Sequence, residues 1–165
     1  MTDPKIETPT KYRVDTCAPA SLSAAEMERC LTIVVNGGAI ENPDRSKKWL
    51  PRSVILAVVR KGNEIVGVGA IKPGRSRYAA GVAEKAGHAI HADAAEIGYI
   101  ARDPAYRNNR FSPHIVAALL GRQAGPLWAT TSSAAVRAAL SDAGFRRCGN
   151  EWGERDNPLS LWLKA

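Results

Sequence analysis

The sequence predicts a mixed α/β (α+β) sandwich, and three observations predict it. Strand-like and helix-like segments follow one another in the order β-α-α-β-β-β-α-β-α-β-β. Near the middle, two apolar runs meet across a Gly-Asn joint, which marks a hairpin. Further on, residues 95–120 read as a buried strand, a tight polar loop and an amphipathic helix. With 165 residues and no internal repeat, low-complexity tract or linker, the chain is assigned to one domain over residues 1–165. Residues 1–10 are expected to be a flexible arm.

Tyr12-Arg-Val-Asp-Thr-Cys17 is the first candidate strand. Ser23-Ala-Ala-Glu26 is a capping box, in which the serine hydroxyl serves an early helix N–H and the glutamate reaches back. Met27, Cys30, Leu31, Val34 and Val35 follow on one helical face, and Asn36-Gly-Gly38 ends the helix. Pro43 to Leu50 is either a short second helix or a polar loop. Val54-Ile-Leu-Ala-Val-Val59 and Ile65-Val-Gly-Val-Gly-Ala-Ile71 flank Lys61-Gly-Asn-Glu64 as the hairpin. Residues 74–93 are rich in Gly, Ala and charge with no clear period. They are expected to form a long, mobile connection of the kind that often lies over a site. After the strand–loop–helix come a short strand at Leu127-Trp-Ala-Thr-Thr131 and a helix over residues 134–143 ended by Gly144. Strands at Phe145-Arg-Arg-Cys148 and Leu159-Ser-Leu-Trp-Leu163 follow, with Trp152, Glu154, Arg155 and Asp156 expected in their connection.

Composition narrows the function classes. No apolar run approaches the ~18 residues of a membrane span, so no membrane partner is expected. The polar start Met-Thr-Asp-Pro-Lys-Ile-Glu has no apolar core of a secretory signal. Three cysteines, Cys17, Cys30 and Cys148, lie far apart, which argues against a disulfide framework or zinc ribbon and points to a reducing cytoplasm. A net charge of +7 favours anionic partners without choosing among a nucleotide-like cofactor, nucleic acid or an acidic substrate.

The strand–loop–helix is the most informative segment. A loop between a strand and a helix N-terminus gathers unpaired N–H groups at the positive end of the helix dipole, a natural seat for phosphate. Pro113 suits the first helical turn, and Ser112 is expected as the N-cap. Gly98, inside an apolar strand, marks either a bulge or a close packing contact.

Ile100-Ala-Arg-Asp-Pro-Ala-Tyr-Arg107, the loop Arg107-Asn-Asn-Arg-Phe-Ser112, and Ile115, Val116, Leu119 and Leu120 on the following helix together resemble the cofactor-binding segment of the Gcn5-related N-acetyltransferase (GNAT) superfamily. Ser133-Ala-Ala-Val-Arg-Ala-Ala-Leu-Ser-Asp-Ala-Gly-Phe145 resembles the later helix of that family, which ends in Gly-Phe. The resemblance spans roughly residues 12–163. It implies a mostly antiparallel sheet of about six or seven strands flanked by about four helices, and acetyl transfer from acetyl-CoA to an amine by direct attack. By the same resemblance, the backbone of Asn108, Asn109, Arg110, Phe111 and Ser112, with Arg107 beside it, would hold the pyrophosphate. Tyr99, Ile100, Ala101 and Arg102 would pair with the pantetheine arm, and N–H groups of that strand would stabilise the oxyanion.

Four positions depart from the family pattern: Arg110 and, mildly, Ser112 in the loop, and Ser133 and Leu140 at the later helix. Arg110 replaces the first glycine of the loop, which lets a backbone approach phosphates closely. Its guanidinium either clamps the pyrophosphate or blocks it. Leu140 stands where many members carry a tyrosine general acid, so Ser133, Ser132, Thr131 or a water is expected to substitute. Glu96, near the start of the fourth strand, is the expected base; a strand-end carboxylate facing solvent is the alternative.

Other constellations are weaker. His88, His91 and Asp93 have metal-like spacing but no certain fourth ligand, and read as exposed loop residues with no metal. Arg45, Lys47, Lys48, Trp49 and Arg52 form a basic cluster with one aromatic. They read as a helix whose Trp49 and Leu50 pack inward, or as a nucleic-acid surface with Trp49 stacking on a base. A GNAT-fold nucleic-acid-modifying or nucleic-acid-binding protein, with an altered donor or lost acetyltransferase activity, is therefore the alternative function. A homodimer through an edge strand is left open.

Overall fold

A computed structural model describes residues 12–37, 43–106 and 109–165. The expected arm at residues 1–10 and the loop residues Arg107 and Asn108 lie outside the described residues. Seven strands form one sheet in the order β1-β2-β3-β4-β5-β7-β6. They are β1 (Tyr12–Cys17), β2 (Ile55–Lys61), β3 (Glu64–Ile71), β4 (Ala95–Arg102), β5 (Leu127–Thr131), β6 (Arg146–Gly153) and β7 (Pro158–Lys164). All pairings are antiparallel except β4 with β5. The α-helices are α1 (Ala24–Asn36), α2 (Pro43–Trp49), α3 (Ser76–Ala86), α4 (Ser112–Leu120) and α5 (Ala134–Asp142).

The β2–β3 turn is the expected two-residue hairpin, with Gly62 at φ +61° in its first central position. The run 54–59 is apolar almost throughout because both faces of β2 are covered. Leu56 and Val58 join Cys30, Ile33 and Val34 of α1, whereas Ala57 and Val59 join Ile115, Val116 and Leu119 of α4. The capping box at the head of α1 is formed, with the Ser23 side chain accepting from the Glu26 N–H at 3.1 Å and the Ser23 N–H donating to Glu26 at 2.9 Å. At Gly69 of β3 an added Cβ would sit 2.3 Å from Ile115, so glycine is what lets α4 lie this close to the sheet.

The structure corrects several expectations. Residues 74–93 are not a loop throughout, because residues 76–86 form α3. Tyr78, Val82 and Ala86 recur every fourth residue and pack with Trp128 and Leu161. Gly87, at φ +67°, closes the helix, with the His88 N–H donating to the Ala83 carbonyl. No side chain caps the start of α3, and Gly81 interrupts its propensity, so packing rather than local signal makes the helix. The strand expected at residues 145–148 runs on to Gly153 and takes in Trp152. Ser112 is the first residue of α4 rather than its cap; Phe111 holds the cap position and no side chain caps the helix.

Candidate active site

Strands β4 and β5 run side by side for only two rungs, Ala95 with Leu127 and Glu96 with Trp128, and then diverge. The gap is the mouth of a cleft of about 1270 Å³. One wall is β4 from Ile97 to Arg102, and the other is the end of β5 from Ala129 to Ser133. β4 also departs from its β3 partner there: Val68 pairs with Ala101 and Ala70 with Gly98, so Tyr99 and Ile100 together oppose Gly69. This is a β-bulge, and Tyr99 takes φ +54°, a conformation that non-glycine residues rarely adopt. The bulge therefore sits one residue beyond Gly98. Gly98 itself answers to packing, since a Cβ there would lie 2.4 Å from Lys72 Cε.

The two ends of the cleft differ. At one end, Arg102, Phe111 and Ser112 face it where β4 leads into α4. The Asn109 N–H donates to Tyr106 at 2.9 Å and the Phe111 N–H to Asn109 at 3.2 Å, and Pro113 has no N–H. The amides of Ser112 and His114 therefore remain without an intrahelical acceptor at the head of α4. Asp103 holds the approach to this loop. Its carboxylate accepts from the Ala105 N–H at 2.9 Å and pairs with Arg29 of α1. The Ala105 N–H and then Arg29 hold the Asp103 carboxyl below the usual aspartate range.

At the other end, Lys72, Arg75, Tyr78, Lys85 and Arg45 line the cleft. Glu96 is 5% exposed and stands behind them, off the cleft wall. The Lys72 Nζ donates to its Oε2 at 3.0 Å, and the Arg75 guanidinium lies 3.8 Å from its Oε1. Burial pushes the Glu96 carboxyl up, against the pull of Lys72 and Arg75. The solvent-facing alternative for Glu96 is thus excluded. Lys72 lies over the Tyr99 ring at 4.3 Å, and Arg75 over Tyr78 at 4.3 Å and Trp49 at 5.1 Å.

Between the ends, the tip of β5 carries a run of hydroxyls. Thr131 Oγ1 accepts from the Ser133 N–H at 2.9 Å, and Ser133 Oγ accepts from the Val136 N–H at 3.3 Å as the N-cap of α5. Ser133 keeps its own O–H to donate into the cleft. Leu140 is fully buried beneath α5, packed in the core rather than turned toward the cleft.

Of the residues expected from sequence, Ile100, Ala101, Arg102, Phe111, Ser112 and Ser133 line the cleft. Asn109 and Arg110 do not, and Arg110 is exposed. Sequence reasoning missed Lys72, Arg75 and Tyr78. Lys72 and Arg75 fall in the Lys72-Pro-Gly-Arg75 segment after β3, and only the spacing Tyr78, Val82, Ala86 before Gly87 signalled the helix that fixes Tyr78.

The remaining candidates resolve simply. Trp49 is half-buried against the α1 side of the core, with Lys48, Arg52 and Arg75 all over its ring. That is the inward-packed reading rather than a free stacking platform. His88 and His91 are exposed and bond within their own loop. Among the described residues no group of three or more His, Cys, Asp or Glu converges on a metal-sized site. Burial pushes the Cys30 thiol up to about 12, so it is no nucleophile. Among the described residues, no helix is long and apolar enough to cross a membrane.

The splayed β4/β5 pair, the β4 bulge and the uncapped helix beyond it define the class: the chain has the fold of the GNAT superfamily of acyl-CoA N-acyltransferases. Among solved structures, it is similar to an acyl-CoA N-acyltransferase from Pseudomonas aeruginosa (TM-score 0.64, 12% identity, covering 93% of this chain and 99% of that one). It is equally similar to Escherichia coli ElaA (TM-score 0.64, 12% identity, 93% and 99% covered). A GNAT-family acetyltransferase from Streptococcus agalactiae also matches (TM-score 0.64, 13% identity, 92% and 94% covered). No protein-family model and no curated protein matches the sequence.

Proposed function

We propose that the protein is a cytoplasmic N-acyltransferase that moves an acetyl group from acetyl-CoA to an amine. The observation that carries this reading is the separation of β4 from β5 after two rungs, with a bulge on β4 and the start of α4, which no side chain caps, along the same cleft. An extended thioester fits such a site. The edge of β4 opposite β3 offers backbone groups at residues 99–102 to pair with an amide-bearing arm, and the α4 amides with Arg102 offer donors to a pyrophosphate. When bound, the donor supplies an activated acyl carbon and a tolerable leaving group.

The chain's own groups do the rest. An N–H at the Tyr99–Ile100 bulge donates to the thioester oxygen as charge develops on it. The amine nitrogen attacks, the C–N bond forms and the C–S bond breaks. The Ser133 hydroxyl donates a hydrogen bond to the departing sulfur, in place of the absent tyrosine. Glu96 is the base at one remove: the proton leaving the amine passes to Lys72 as Lys72 gives one to Glu96, whose burial favours holding it.

Calorimetry with acetyl-CoA, followed by release of free coenzyme A thiol in the presence of an amine, tests the activity. Saturable binding and amine-dependent thiol release are expected; no binding at millimolar ligand sinks the reading. Glu96→Gln should lower kcat about 100-fold and flatten its pH profile. An unchanged profile would remove Glu96 from proton transfer.

A further inference from the structure

We infer that the acceptor amine carries an oxyanion group, a carboxylate or a phosphate, and that Arg75 is the residue that grips it. This rests on the acyltransferase reading above and adds the substrate class. Arg75 stands at the N-terminal cap of α3, pointed into the cleft, with its side chain 15% exposed. Its guanidinium is stacked between Tyr78 and Trp49, which fixes the plane of the fork. Yet among the described residues it makes no hydrogen bond. Its Nε is buried without a partner, and its ion pair with Glu96 is 3.8 Å long, beyond hydrogen-bond reach.

A largely buried guanidinium with unused donors is costly unless something in the cleft pairs with it. An anion that presents two oxygens side by side, a carboxylate or a phosphate, is the chemistry that matches its fork. Among the described residues, the carboxylate paired with it, Glu96, is already taken, because Lys72 donates to Glu96 at 3.0 Å. Arg45 and Lys85 line the same end and add positive charge, whereas among the described residues the one carboxylate on the cleft wall is Glu154, on the loop after β6. This end is also not the pyrophosphate end. Four residue steps along β4, from Gly98 beside Lys72 to Arg102, span roughly 13 Å. The cations at Arg75 therefore lie at the opposite end of the cleft from the start of α4, and the inference assigns them to the acceptor.

Three amines sharing an aminoethyl arm test the inference: ethanolamine, β-alanine and 2-aminoethyl phosphate, each assayed with acetyl-CoA. At least one of the two anionic amines should exceed ethanolamine in kcat/KM by about tenfold or more, chiefly through KM. Which of them leads tells carboxylate from phosphate. In Arg75→Gln that preference ratio should fall about tenfold, and Arg75→Lys should restore part of it. Equal use of ethanolamine, or a ratio unchanged in Arg75→Gln, overturns the inference.

Inorganic phosphate gives a readout independent of turnover. It should raise the melting temperature of the wild type and inhibit competitively against the amine rather than against acetyl-CoA. The temperature rise should shrink in Arg75→Gln and in the exposed-site double variant Arg45→Gln/Lys85→Gln. An identical rise in all three proteins overturns the inference. If acetyl-CoA fails to bind while the Arg75-dependent phosphate effect persists, the acyltransferase reading has failed and the anion site stands.

Discussion

The two ends of the cleft hold charge by different means. Where β4 runs into α4, a helix without a side-chain cap meets the cleft, its approach is braced by Asp103 and Arg29, and among the described residues only Arg102 brings a side-chain cation to the wall. Where β3 runs into α3, the cations are side chains, Lys72, Arg75, Arg45 and Lys85; Lys72 and Arg75 lie over Tyr78, Tyr99 and Trp49 and are countered from behind by Glu96. Arg110 is exposed and off the cleft wall. A side-chain seat depends on every residue in it. On the proposed reading, the donor would lie at the backbone end and the acceptor at the Arg75 end.

The largest expected effect comes from emptying the middle of the side-chain seat. Glu96→Ala strands Lys72 and Arg75 as neighbouring buried cations and should lower stability by about 3 kcal/mol, read as a fall in the urea midpoint. A change below about 0.5 kcal/mol would mean the pair is solvated and the contrast between the ends is wrong. Asp103→Asn probes the brace behind the backbone seat and should cost about 1 kcal/mol near neutral pH. The folded Asp103 carboxyl lies below its unfolded value, so its contribution is present above about pH 4 and fades as pH falls through the folded value. Wild type and variant melting temperatures should thus differ at pH 7 and converge in acid; a gap that persists below about pH 2.5 would assign the loss to packing instead. Arg110→Gly should have the smallest effect, changing acetyl-CoA affinity less than about threefold by calorimetry, as expected of an exposed charge off the cleft wall. A tenfold loss would make Arg110 a clamp and a tenfold gain would make it a block.

Much of the frame was legible because it rests on local signals. The capping box at Ser23 and Glu26, the Gly62 turn and the apolar strands each follow from short-range chemistry, and the structure keeps them. The strand–loop–helix over residues 95–120 was legible too, although the cap moved from Ser112 to Phe111. Helix α3 was not, because it begins without a cap and carries Gly81, and it holds together by burying Tyr78, Val82 and Ala86 on Trp128 and Leu161. With α3 hidden, the Arg75 end of the site was hidden as well. Glu96 was singled out, but Lys72, 24 residues away, became its partner only when β3 and β4 paired.

By itself the sequence determined the order of elements apart from α3, the β2–β3 hairpin and the strand–loop–helix over residues 95–120. These depend on periodicity, caps and turns, which act over a few residues. Tertiary structure alone decided that β4 leaves β5 after two rungs, that the bulge falls on Tyr99 and that Arg75 lies over Tyr78, its Nε without a hydrogen bond, beside a Glu96 already bonded to Lys72. Those features depend on register and on contacts between distant segments, for which no local preference exists.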